Sequence, residues 1–354
     1  MVAGSWYGRE IHRMTLDLYL HGRSSLRRVA EFWRALIGHQ ARWQQWFVWE
    51  EGGTDRAPCR LAGSTVQRWH DRAGQVARCG VKGQLAGIVS SGRMATDGLW
   101  ARLRGGIQRV VLALRDSVSG LLWPPVVALE EESAAAWRAM FSRAQEAGLE
   151  IQALLGLTSD GAQGLLAFLR EGLPWVNQQR CQWHMWRSLA GDLARAVAQG
   201  TKGLAGQAKK QAAESLRQEL TAFLHGVMDA SGYEQAEQAL AALRAHAFGA
   251  GLWRKLNEQL DRLFVYRSDA YRGVCRVSPE WMWRDFRMRL SHGRNHGSDQ
   301  RLERAALVWQ IYHNFTPAQR RSEHKRHYRH PGQSALEVAG APPGQLSYLD
   351  ALGV

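Results

Sequence analysis

Cysteines, long apolar runs and acidic residues are all scarce in this sequence. None of its four cysteines forms a Cys-x-x-Cys pair, so we expect neither a disulfide framework nor a zinc ribbon. The longest apolar run, residues 121–129, contains two prolines and is far shorter than the roughly 20 residues that a membrane span needs. The N-terminal residues lack the continuous apolar stretch of a secretory signal. We therefore expect a cytoplasmic protein with no membrane partner.

Two phosphate-binding loops are also missing, Gly-x-Gly-x-x-Gly and Gly-x-x-x-x-Gly-Lys-Ser/Thr, which argues against a doubly wound nucleotide-binding sheet. With 354 residues, 45% of them hydrophobic and 22% charged, the chain is not disordered and should form two or three structural units. Its 46 lysines and arginines outnumber its 32 acids, which gives a net charge of 46 − 32 = +14. Each phosphate neutralised by such a cation releases a counterion, so we expect a nucleic-acid partner.

Residues 1–84 have the pattern of a helical DNA-binding region. Near its end, Val66 and Trp69 lie three positions apart, while Arg68 and Arg72 fall on other faces of the same helix. This arrangement is typical of the recognition helix of a helix-turn-helix unit, in which the two arginines would contact DNA. An ordinary surface helix is the alternative interpretation of the same pattern.

Strand-like patterning begins near residue 85. Glycine-containing turns separate three extended apolar segments, after which helices and strands alternate. The predicted strands are 94–103, 107–115, 121–129, 151–158 and 175–181, and the predicted helices are 133–147 and 161–170. The order βββαβαβ predicts an α/β fold with the mixed sheet of the RNase H-like class. In such a sheet the first and fourth strands are neighbours.

Helical patterning dominates the rest of the chain. We expect residues 85–185 to form the first part of a catalytic core and residues 186–270 to form an all-helical insertion. Residues 271–315 would complete the core with C-terminal helices, and residues 316–354 would form a basic tail. Four cations in that tail are expected to contact a polyphosphate, namely Arg320, Arg321, Lys325 and Arg326.

Three carboxylates occupy places where they could bind a metal ion. Asp97 lies within the first predicted strand, Asp160 lies at the end of the fourth, and Glu280 lies in the first turn of a helix. Carboxylates on neighbouring strands can converge on hard cations, so we expect Mg²⁺ or Mn²⁺ as cofactor. Other carboxylates compete for this role on periodicity alone: Asp116, Asp285 and Glu303. In the helix after Glu280, the pattern predicts a cationic face that contains Trp283, Arg284 and Arg287.

The stretch Thr158-Ser-Asp160-Gly-Ala-Gln-Gly164 precedes a Cys-x-x-His motif, and the spacing from Asp160 to Cys181 is 181 − 160 = 21. Together with Asp97-Gly98-Leu99-Trp100 and the Arg-rich helix after Glu280, these segments resemble bacterial Mutator-type insertion-sequence transposases. The resemblance implies a DDE-type active site of Asp97, Asp160 and Glu280, which would also be the metal ligands. It also implies a supporting position for Cys181 and His184 beside the catalytic sheet, with Arg187 among the DNA-binding residues.

The implied reaction is cleavage of a 3′ phosphodiester at the ends of a mobile element, followed by joining of the 3′-OH to target DNA. Two metal ions assist such chemistry by activating the attacking oxygen and stabilising the leaving one. Two double-stranded DNA ends must be held together, so we expect a homodimer or larger assembly at the nucleoid. A non-catalytic DNA-binding protein derived from a transposase and an RNase H-like nuclease remain as alternatives.

Overall fold

A computed structural model describes residues 9–21, 25–38, 63–129, 131–268, 283, 286–287, 296–317, 332–342 and 347–353. The chain divides into two compact units. The first unit comprises Met1–Ser90, Gly98–Gln152 and Pro279–Val354, and the second comprises Ser91–Asp97 and Ala153–Ser278. No helix within the described part of the chain is long and apolar enough to cross a membrane.

Five strands form one mixed sheet in the order β3-β2-β1-β4-β5. Strand β1 pairs with β4 and β4 pairs with β5 in parallel, whereas β2 and β3 are antiparallel. The strands are β1 (Arg93–Arg102), β2 (Gln108–Asp116), β3 (Val126–Ala128), β4 (Gly156–Ser159) and β5 (Asn177–Arg180). The mixed sheet and the adjacency of the first and fourth strands are therefore confirmed.

Three of the strands are shorter than the sequence predicts, and the fifth covers only Asn177–Arg180. The third is confined to Val126–Ala128, and upstream of it Leu122 forms only a single bridge to Arg115. The two prolines between these segments have no N–H to donate, which interrupts the ladder. Before the fourth strand, Ile151–Ala153 forms a 3₁₀ turn, so that β4 begins only at Gly156.

Thirteen helices are found among the described residues. The helices that precede β4 in the sequence are α1 (Arg9–Leu20), α2 (Leu26–Gly38), α3 (Gly63–Cys79) and α4 (Ala134–Ala147). Those of the second unit are α5 (Gln163–Gly172), α6 (Gln182–Gly200), α7 (Gly206–Met228), α8 (Tyr233–Ala245), α9 (Ala250–Asn257) and α10 (Leu260–Leu263). The last three are α11 (Asp299–Phe315), α12 (Ala335–Val338) and α13 (Tyr348–Ala351).

The core of the first unit forms where α3 packs against α11. The two helices approach closely at Gly74, where a methyl group would lie only 2.4 Å from the Cβ of Arg304. In α3, Val66 and Trp69 are buried while Arg68 and Arg72 are exposed, so the predicted amphipathic pattern is confirmed. Residues 39–62, which precede α3, lie outside the described residues, and the helix-turn-helix stays a prediction.

Helix α4 has the ends that its sequence predicts. The Ser133 hydroxyl accepts a hydrogen bond from the Ala136 N–H at 3.2 Å, which caps the first turn. Gly148 ends the helix in the left-handed conformation with φ of 120°, where a side chain would be strained.

The second unit contains a bundle of α6–α10 with its own apolar core. Leu189, Leu224, Leu240 and Leu256 are all buried in it. Every element found from Gln182 to Arg267 is helical, which agrees with the expected all-helical character of this segment. Helix α6 begins at Gln182, earlier than the expected boundary at residue 186, and the Gln182 side chain donates to the Met228 carbonyl at 3.2 Å.

Candidate active site

The paired part of β1 and β4 ends two residues before two of the predicted acids. In the parallel pairing of β1 and β4, Ala95 is opposite Thr158, an offset of 158 − 95 = 63 residues. Asp97 and Asp160 have the same offset, 160 − 97 = 63. Neighbouring strands are about 4.8 Å apart at the Ala95–Thr158 pair, and each acid follows two residues beyond it. Asp97 is buried, with only 5% of its surface exposed, and Asp160 is half-buried.

Asp160 is held in a tight turn that ends β4 and leads into α5. Its Oδ1 accepts a hydrogen bond from the Ala162 N–H at 2.9 Å, and the Ser159 hydroxyl accepts one from the Gly161 N–H at 3.2 Å. Gly161 has φ of 78°, a conformation that glycine adopts without steric cost. The Asp-Gly sequence therefore fixes the position of this carboxylate, while Oδ2 accepts no hydrogen bond from the described residues.

Arg180 is a neighbour of Asp160 that the sequence pattern did not reveal. It ends β5 opposite Ser159, and a methyl group on Gly161 would lie 2.2 Å from its Nη1. Burial lowers the pKa of the Arg180 guanidinium, and the charge of Asp160 opposes that shift. The position of Arg180 in the sequence could have predicted this proximity. Arg180 ends the strand that follows Asp160, and the carboxyl ends of parallel strands lie at the same edge of a sheet.

Cys181 and His184 follow directly, at the start of α6. Cys181 is fully buried, and its N–H donates to the Ser159 carbonyl at 2.8 Å, which ties α6 to the end of β4. The His184 ring contacts the Trp183 ring edge-on at a centroid distance of 4.7 Å, and the exposed Arg187 lies over the same indole at 4.8 Å. The structure thus brings the Cys-x-x-His segment next to the Asp160 turn.

Other predicted site residues lie outside the described residues. These are Glu280, Arg284, Arg320, Arg321, Lys325 and Arg326. Arg287 is described and exposed. Trp283 was expected on the same cationic face, and this prediction was wrong: its side chain is fully buried and stacks on Trp309 at a centroid distance of 5.7 Å. An indole gains more from apolar burial than an arginine, which explains its position in the core of the first unit.

The competing carboxylates are engaged in contacts of other kinds. Asp116 accepts hydrogen bonds from the backbone N–H groups of Val118 and Ser119, both at 2.9 Å, and so closes the turn after β2. Glu303 pairs with Arg143 at 2.7 Å and with Arg78 at 3.6 Å. Asp285 lies outside the described residues.

The donor set at Asp97 and Asp160 suits a hard divalent cation, because carboxylate oxygens are the protein ligands that such ions prefer. Across the described ranges, no three His, Cys, Asp or Glu side chains come together as a metal site. A complete set therefore needs a donor from beyond those ranges, or water and substrate oxygens.

One comparison with known proteins finds a similarity to a family over part of the chain. Residues 125–258 match the family model described as "Transposase, Mutator family". The matched segment is 258 − 125 + 1 = 134 residues long and contains Asp160, Arg180, Cys181 and His184. No curated protein matches the chain.

Proposed function

Because residues 125–258 match the family model described as "Transposase, Mutator family", we propose that this chain is a DDE-type DNA transposase. It binds the terminal repeats of its element, cleaves the 3′ phosphodiester at each end and joins the 3′-OH to target DNA. The pairing of Ala95 with Thr158 carries this proposal, since Asp97 on β1 and Asp160 directly after β4 each lie two residues beyond it. The strand order, with β1 in the centre beside β4, supports an RNase H-like sheet.

In this proposal Asp97, Asp160 and Glu280 hold Mg²⁺ or Mn²⁺. Such ions, when bound, supply activation of the attacking oxygen and stabilisation of the leaving oxygen. The protein's own contribution is to hold two carboxylates in place: Asp97 by its position within a strand and Asp160 by its turn. Arg180 acts beside them as a positioning residue, where its guanidinium donates to a non-bridging phosphate oxygen.

DNA contacts in this proposal come from cations on several segments. Arg68 and Arg72 are exposed on α3, and Arg187 is exposed near the start of α6. Arg287 is exposed in the segment after Glu280. The remaining proposed DNA contacts are Arg284, Arg320, Arg321, Lys325 and Arg326. The active assembly is a dimer or larger, because two ends have to be joined in one reaction, and it works at the nucleoid.

The test is an assay with labelled element ends, a target duplex and Mg²⁺. Asp160→Asn should abolish cleavage and leave DNA binding within about twofold, because a neutral amide keeps the shape of the side chain but not its charge. Glu258→Gln is the matched control: it removes an exposed carboxylate in the same unit and should cleave normally.

Each other outcome is informative. Cleavage by Asp160→Asn at the wild-type rate would reject the assignment. Binding without any nicking by the wild-type chain would identify a non-catalytic DNA-binding protein. Nicking without covalent joining to the target would identify a nuclease.

A further inference from the structure

A groove in the second unit lies along α5, the outer edge strand β5 and the segment from α10 to Val265; we call it the α5–β5 groove. Its volume is about 420 Å³, within the range of sites that bind small organic molecules. Leu166 and Leu173 contribute apolar surface on one side, and Val265 contributes it on another. Two cations, Arg170 and Arg262, line the same groove. Apolar surface and positive charge are thus combined in one recess.

The two arginines are available to an anionic ligand. Arg170 donates from Nε to the Leu166 carbonyl at 3.3 Å, which leaves its terminal nitrogens for other acceptors. Neither Arg170 nor Arg262 forms an ion pair with any carboxylate that the structure describes. Among the described residues that line the groove, the one acid is Asp261, which accepts a hydrogen bond from the Tyr233 hydroxyl at 2.8 Å. These three groove side chains therefore carry two positive charges and one negative charge, a net charge of 2 − 1 = +1, because the neutral Tyr233 hydroxyl leaves the Asp261 carboxylate charged.

Gln178 adds a buried hydrogen-bond acceptor to the groove. Only 8% of this residue is exposed, and its Nε2 donates to the Ser159 hydroxyl at 3.0 Å and to the Gln179 carbonyl at 3.0 Å. Its Oε1 is buried and accepts no hydrogen bond from any residue that the structure describes. An unsatisfied buried acceptor is costly, and a ligand with an N–H donor would satisfy it.

The groove lies beside the candidate active site. The Ser159 hydroxyl that binds Gln178 belongs to the residue just before Asp160. At the other end, the charge of Arg262 acts on Arg180, whose guanidinium packs on Gly161. A ligand in the groove would therefore be adjacent to the Asp160 turn.

We propose that the α5–β5 groove binds one unpaired nucleotide of a DNA strand, with its base against the apolar walls and its phosphates against Arg170 and Arg262. A paired base cannot enter such a recess, because its faces are covered in the stack and its edge is occupied by its partner. The groove would hold the nucleotide next to the cleavage position, so the idea rests on the proposed function.

The test measures binding of the full chain, without metal, to three fluorescent DNA probes by anisotropy. The probes are a blunt duplex, the same duplex with a single-stranded overhang, and that overhang with abasic sites. We expect the overhang with bases to bind about tenfold tighter than the blunt duplex, the size of a charged hydrogen bond gained. Arg262→Gln should remove most of that preference, whereas the control Arg254→Gln, an exposed arginine of α9, should keep it.

Val265→Trp provides an independent variant, because a larger side chain fills the groove without removing a charge. It should bind the overhang with bases no better than the abasic overhang. Equal binding of blunt and overhang duplexes by the wild-type chain would overturn the proposal, as would equal losses in Arg262→Gln and Arg254→Gln. Displacement of the overhang probe by a deoxynucleoside monophosphate at similar concentration would identify a free-nucleotide site and overturn the assignment to a strand. Asp160→Asn should retain the overhang preference, so a failure of cleavage and a failure of the groove are distinguishable.

Discussion

Gly161→Ala tests whether Arg180 matters to the reaction. A methyl group at this position would lie 2.2 Å from Arg180 Nη1 and 3.2 Å from its Cζ, so the guanidinium has to move away from the Asp160 turn. The displaced group is the end of a flexible side chain, which can rotate at little cost in stability. The substitution should therefore change the position of one positive charge while the fold persists.

The expected magnitudes separate two effects. A residue other than glycine at φ of 78° costs about 1–2 kcal/mol of folding free energy. Gly203→Ala is the matched control. Gly203 has φ of 86°, and a methyl group there would meet no atom within 4 Å, so this substitution has the same backbone cost without a steric contact. Both variants should lose about 1–2 kcal/mol in urea unfolding. Only Gly161→Ala should lose a hydrogen bond to a charged phosphate, worth about 1.5–3 kcal/mol or roughly 10- to 150-fold in cleavage rate.

The assay compares single-turnover cleavage by the two variants with their unfolding free energies. Equal cleavage rates would refute the role of Arg180 next to Asp160. If Gly161→Ala lost far more stability than Gly203→Ala, the Arg180 guanidinium would be unable to move aside. That result would refute the premise that the substitution displaces one charge while the fold persists.

Three further predictions concern the fold. Gly74→Ala should destabilise the first unit by about 1–3 kcal/mol, because the methyl group meets Arg304. Gly191→Ala has open space on α6 and should raise the free energy of unfolding by about 0.5–1 kcal/mol. Urea unfolding measures both changes. Burial, aided by a nearby arginine, lowers the pKa of His12 to about 4, so the unfolded chain binds a proton near pH 6.5 before the folded one does. Stability should be full above pH 6.5 and fall by at most about 3 kcal/mol on acidification to pH 4, and His12→Phe should flatten this slope. Glu303→Gln weakens two ion pairs and should lower the free energy of unfolding by about 1–3 kcal/mol. Urea unfolding measures this loss, and an unchanged free energy of unfolding would contradict the prediction.

Much of the architecture follows from local signals in the sequence. Ser133 and Gly148 mark the ends of α4 because one supplies a capping hydroxyl and the other accepts a left-handed conformation. Val66 and Trp69 identify the buried face of α3 by their spacing. The Asp-Gly pair at Asp160 predicts a turn, and a turn is what ends β4.

Other features depend on residues that are distant in the chain. The register in which Asp97 and Asp160 each lie two residues beyond the Ala95–Thr158 pair is set by strand pairing, which no local pattern contains. The contact of Arg180 with Gly161 joins the ends of two different strands. The position of Trp283 is decided by the aromatic partners that it finds in the core, and these override the face that helical periodicity assigns to it.

The burial of Trp283 restricts Glu280, the proposed third acid of the site. Glu280 precedes this indole by three residues, a span of at most about 11 Å, so the acid is tethered to a ring that packs against Phe286 and Trp309. Moving the Trp283 side chain out of the core would expose a large aromatic surface, at a cost of about 3–5 kcal/mol. The chain has 16 tryptophans, so a red shift of the emission on adding DNA and Mg²⁺ would report exposure of this indole only if Trp283→Phe removed it.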